Sequence, residues 1–161
     1  MSLGLLKKSK KFLVGISILL FFIGLATIVI WFVPDPMAMD KEHDWEPPSS
    51  QWILGTDLFG RDVFSLFVNG MNMSLRIGIL AGLIATLAGV AVGAIAGYKG
   101  GNVDEVLMSI TNVMLVIPTL ALMIVLADFL KIRNEMLMAF LIGITSWPWA
   151  ARSIRSQTLS L

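Results

Sequence analysis

Four uncharged apolar runs set the limits on what this chain can become: Phe12 to Pro34, Ile77 to Tyr98, Val106 to Ala127 and Met136 to Ala151. A helix needs about twenty apolar residues to cross the roughly 30 Å hydrocarbon layer of a bilayer, where every backbone amide must be satisfied within the segment. The first three runs meet that length. The fourth crosses only if Arg152 and Arg155 belong to its helix and extend their heads into the headgroups, beside the interfacial pair Trp147 and Trp149. With 57% hydrophobic and 14% charged residues and a mean hydropathy of +0.83, the composition lies outside that of ordinary soluble domains. The expected fold is therefore all-α and integral to the membrane, with four transmembrane helices.

Charge sets the expected orientation. Lys7, Lys8, Lys10 and Lys11 precede the first run, Lys99 follows the second, and Arg152 and Arg155 close the fourth. The positive-inside bias places all of these, and both termini, in the cytoplasm. The first run is too long for a signal-peptide core and lacks an Ala-x-Ala cleavage site, so it reads as a retained anchor of a multi-pass plasma-membrane protein. Between the first two runs, Asp35, Asp40, Glu42, Asp44, Glu46, Asp57 and Asp62 face only Lys41 and Arg61. This acidic stretch is expected outside, its first part kept extended by Pro34, Pro36, Pro47 and Pro48. The organisation predicted is a basic tail and first helix over 1–33, then an extracytoplasmic loop with a short interfacial helix around Val63, Phe64, Phe67 and Val68 over 34–72. Three further helices occupy 73–161.

Several chemistries drop out. A net charge of +1 argues against a nucleic-acid surface, and the absence of cysteine removes thiolate metal sites and disulfides. His43 is the only histidine; Glu42 and Asp44 beside it point apart on an extended chain, so a solvated acidic loop is favoured over a metal site. No Gly-x-x-x-x-Gly-Lys-Ser/Thr phosphate loop and no His-Glu-x-x-His zinc motif occurs, and Ser17 in Gly15-Ile16-Ser17 has no base to activate it. No catalytic residue, cofactor or metal is expected, and any ATP hydrolysis would reside in other chains.

What remains is a loop motif, a glycine face and a polar interruption. Gly55-Thr56-Asp57-Leu58-Phe59-Gly60-Arg61-Asp62-Val63-Phe64-Ser65 has two glycines for turns, capping oxygens before a helix, and Arg61 placed to pair with Asp57 or Asp62. Gly78 and Gly82, then Gly89, Gly93 and Gly97, recur at four-residue spacing and strip one helix face of side chains, which lets helices pack closely in lipid. After the turn at Gly100 and Gly101, Asn102 is a plausible N-cap, with Asp104 and Glu105 in the next first turn. Within the third run, Thr111 and Asn112 are either interhelical hydrogen-bonding groups or part of a solute path, and Pro118 is expected to kink the helix as packing geometry or a hinge.

Taken in order, Trp52-Ile53-Leu54-Gly55-Thr56-Asp57, Gly60-Arg61-Asp62-Val63, Ser74-Leu75, Gly97-Tyr98, Gly100-Gly101, Val103-Asp104, Pro118 and the stretch Ser146-Trp147 to Ala151-Arg152 resemble the dipeptide/oligopeptide/nickel permease family of ABC importers. The resemblance runs from about Trp52 to the end. It implies a type I importer permease that pairs with a second permease subunit, docks two cytoplasmic ATPase subunits and receives solute from an extracytoplasmic solute-binding protein. It also implies a cytoplasmic coupling loop with a Glu-Ala-Ala signature and two more spans, which these 161 residues do not include. The expectation is thus a fragment or truncated frame, with a non-transporting membrane scaffold or regulatory fragment as the alternative. Asn112 stands where relatives of this family often carry aspartate.

Overall fold

The computed structural model describes residues 10–160, so Lys7 and Lys8 lie outside the described residues. Five α-helices account for most of the described residues: α1 Lys10–Thr27, α2 Val63–Lys99, α3 Gly101–Val116, α4 Thr119–Phe129 and α5 Glu135–Thr158. Two short 3-10 turns, Val29–Trp31 and Lys41–His43, lie between α1 and α2. Among the described residues there is no strand, only an isolated antiparallel bridge between Thr56 and Asp62. The chain divides into two compact units, one ending at Leu75 and one starting at Arg76.

Two helical stretches, Lys10–Trp31 and Val63–Lys99, are long and apolar enough to cross a membrane, and a third is reached if α3 and α4 count as one bent span. Among the described residues the fold is therefore all-helical, with two to three apolar spans. α5 has a shorter apolar stretch and ends among Arg152 and Arg155.

Three expectations change. The short interfacial helix is not separate: Val63 to Val68 are the first turns of α2, which runs unbroken for 37 residues, about 55 Å. No proline or turn pair interrupts it, so propagation continues once the cap at Asp62 has started it. The third run is not one kinked helix. α3 ends at Val116, Ile117 is extended, and α4 departs at 83°. The cause is Pro118, whose ring drives the preceding residue out of the helical region and lacks the N–H that would continue the ladder. Asn102 does not cap α3, because Gly100 and Gly101 both take positive φ and the helix begins before it; Asp104 does fall in the first turn.

In the first unit the amide of Asn72 on α2 donates to the carbonyl of Ala26 near the end of α1 at 2.6 Å, satisfying a carbonyl left free by the helix terminus. In the second unit α2 and α5 run parallel, as shown by what a side chain on α2 would strike. A Cβ on Gly89 would overlap Ala150, one on Gly93 the carbonyl of Ala151, and one on Gly97 would lie 2.7 Å from Cβ of Thr158. Reciprocally, a Cβ on Gly143 of α5 would lie 2.7 Å from Cβ of Ile84 on α2. The two backbones thus meet over several turns.

Candidate functional site

The outer-loop motif folds back on the residues that precede it. Thr56 is almost fully buried, and its hydroxyl donates to the carbonyl of His43 at 2.5 Å while accepting from the Glu46 amide at 2.8 Å. Its own amide donates to the Glu46 carbonyl at 3.0 Å, and the Trp45 amide donates to the Asp57 carbonyl at 3.2 Å. One threonine therefore grips both ends of the segment 43–46. The two glycines complete the closure. Gly55 (φ 76°) rests against the backbone of Glu46 and Pro47, and Gly60 (φ 69°) against that of Asp40. Both positions combine a left-handed backbone with no room for a Cβ, so glycine is required twice over.

The charges of the motif are divided between two tasks. Asp57 accepts from the amides of Phe59 and Arg61 at 2.8 and 3.0 Å, and its other oxygen takes the Arg61 guanidinium at 2.6 and 2.8 Å. The Arg61 side-chain hydrogen bond, aided by the two amides and opposed by partial desolvation, holds the Asp57 carboxyl below its ordinary 3.8. The Arg61 guanidinium also lies over the Phe59 ring at 4.9 Å. Asp62 is not its partner. That carboxylate caps α2, accepting from the amides of Phe64 and Ser65 at 3.1 and 3.2 Å and from the buried Ser65 hydroxyl at 2.5 Å. His43 pairs through Nδ1 with Asp40 at 2.9 Å rather than with Glu42 or Asp44. Among the described residues no group of three metal-ligating side chains converges.

The glycine series divides as well. Gly89, Gly93 and Gly97 lie against α5, whereas Gly78 and Gly82 face open space. Arg155, expected at the cytoplasmic headgroups, makes a two-pronged ion pair with Asp104 on α3. Arg152 likewise donates to the Asn112 side-chain oxygen at 2.7 Å instead of extending away. Each charge found a nearby acceptor on α3, which is favoured over leaving a guanidinium unpaired at the edge of an apolar layer. At the other end of the α2 and α5 pair, Arg76 stands 3.5 Å from Glu135. Thr111 is fully buried and donates to the Leu107 carbonyl of its own helix at 2.7 Å. The side chains of Thr111 and Asn112 thus have separate partners, and no side-chain hydrogen bond joins them to each other or to Pro118 among the described residues.

Residues 89–161, which hold the α5 seat on α2 and the Asp104–Arg155 pair, match the family of binding-protein-dependent transport system inner membrane components. The dipeptide transport system permease protein DppC of Bacillus subtilis is 36% identical over 157 residues, covering 97% of this chain and 49% of that protein. The resemblance to these permeases holds. The oligopeptide transport system permease protein OppC of Bacillus subtilis is 31% identical over 96% of this chain and 51% of its own length. The probable D,D-dipeptide transport system permease protein DdpC of Escherichia coli is 37% identical over 78% of this chain and 42% of its own. The chain spans about half the length of the curated relatives it matches. The matched family is a transport component rather than a class of catalysts.

Sequence reasoning missed Thr56 as the residue that organises the loop, Gly143 as the reciprocal small contact, and both arginine partners. Ala139 and Gly143 carry the same four-residue small spacing that marked α2, so that contact had a signal. The partners of Thr56 lie 10 and 13 residues upstream, where no periodicity points.

Proposed function

We propose that this chain acts as a permease subunit of an ABC importer for peptides or similar small solutes. It would move solute across the plasma membrane by alternating access, driven by partner ATPases. The strongest support is the extent of the likeness. It reaches the dipeptide and oligopeptide permeases over 96–97% of the chain, so it takes in the outer loop as well as the helices. In this reading α5 completes a fourth span and both ends of the described chain face the cytoplasm, in keeping with Lys10, Lys11, Lys99, Arg152 and Arg155. A second permease, two ATPases and an extracytoplasmic solute-binding protein complete the complex, and this chain performs no catalysis itself.

Alternating access needs parts that move as wholes and a place where they bend. This reading takes both from the second unit. The glycine seat and the ion pairs Arg76–Glu135 and Asp104–Arg155 fasten α2, α3 and α5 together, and the 83° break at Pro118 releases α4 from α3. Gly55 to Ser65 would form the outer ledge near the docking surface for the binding protein. The test is uptake of a radiolabelled dipeptide by cells lacking the gene and by cells complemented with it. ATP-dependent uptake restored by the wild-type gene supports the reading. Equal uptake with and without the gene, across dipeptide and oligopeptide probes, overturns it.

A further inference from the structure

Trp45 has a left-handed backbone, with φ of 55°, a conformation that a bulky side chain rarely adopts. Nothing in its own side chain explains this, since the residue is 72% exposed. The backbone on either side does. The Thr56 hydroxyl holds the carbonyl of His43 and the amide of Glu46, and the Trp45 amide is fixed to the Asp57 carbonyl, so the residue between them has to arch outward. A large indole is thereby held exposed at the crest of a closed loop. A glycine or asparagine would take the same backbone with less strain.

The surroundings of the indole indicate what it meets. Glu42, Asp44 and Glu46 flank it, and none of the three is paired with a cation among the described residues. An anionic lipid surface would repel these carboxylates, so charge complementarity favours a protein partner over lipid. Resting on the permease reading above, we infer that Trp45 is the anchor by which this subunit engages its extracytoplasmic solute-binding protein. The matching surface is an apolar socket rimmed by lysine or arginine. Trp is the residue most often found carrying binding energy at the centre of such contacts, and the surrounding carboxylates supply steering and register.

The test uses the complete permease complex in lipid nanodiscs and the purified solute-binding protein encoded with it. Trp45→Ala and Trp45→Gly should each weaken their association by about tenfold or more, while Trp45→Phe retains most of it. Trp45→Gly relieves the backbone strain, so its melting temperature should equal or exceed that of the wild type even as docking is lost. Replacing Glu42, Asp44 and Glu46 with their amides should flatten the salt dependence of association. Wild-type affinity in Trp45→Gly overturns the inference, as does quenching of the Trp45 indole by brominated lipid with docking unchanged in Trp45→Ala. If the wild-type complex binds no such protein, the permease reading itself fails and this inference with it.

Discussion

The outer loop and the α2–α5 pair both depend on glycine, for opposite reasons. In the loop, Gly55 and Gly60 supply backbone angles that other residues resist, and hydrogen bonds through Thr56 and Asp57 then lock the closure. In the helix pair, Gly89, Gly93 and Gly97 have ordinary helical backbones, and what matters is the absent side chain that lets α5 come close. One region gains order from polar bonds in water, where each is worth only about 1 kcal/mol and several must act together. The other gains it from contact in a layer where apolar burial gives helices no reason to associate. Substitutions should therefore separate the two regions by mechanism.

Gly60→Ala should have the largest effect. It adds a Cβ at a left-handed position directly against the Asp40 backbone, costing about 3 kcal/mol in strain and overlap. Trypsin cleavage within the loop should accelerate on the order of a hundredfold if opening is in equilibrium. An unchanged rate would mean that the loop is not held by this closure. Next comes Gly93→Val, which drives a side chain into the Ala151 carbonyl and should destabilise the second unit by about 2 kcal/mol. Gly82→Val, in open space, should leave the melting temperature of the isolated chain within error. If Gly82→Val abolishes assembly while sparing the chain, that end of the glycine face meets another subunit.

Smaller effects follow from the charges. Asp104→Asn leaves Arg155 without its two-pronged partner and should lower the melting temperature of the detergent-solubilised protein. Adding Arg155→Gln should recover part of the loss, because the unpaired charge is then gone. Additive losses would show that the two residues do not interact. The smallest effect concerns pH. The Asp57 carboxyl is held below 3.8 in the folded loop, so its contribution is fully present above that value and fades as pH falls through the lowered one. Trypsin cannot report there, but pepsin nicking of the loop should rise only below about pH 4, and Asp57→Asn should remove that step.

The sequence showed these regions unequally. The apolar runs announced the helices, because hydropathy averaged over twenty residues is insensitive to local detail. The Gly55–Ser65 string was legible as a turn with a charge pair and a cap, since each role depends on neighbours within four residues. What it closes upon was not, as Asp40 and Glu46 are reached by the path of the chain rather than by any repeat. The proline rule announced a bend at Pro118, but its 83° angle depends on where α4 finds a neighbour. The partners of Arg152 and Arg155 were not legible, because Asn112 and Asp104 lie 40 and 51 residues earlier in the chain, on α3.

The most direct test of the central claim, that this chain works as an importer subunit, is affinity capture of the tagged protein from native membranes with mass spectrometry of what accompanies it. The account predicts a second permease, two ATPases and a solute-binding protein, each lost when crosslinking is omitted only if its contact is transient. Recovery of the intact chain without any ATPase, under conditions that preserve a known importer from the same membranes, would contradict it.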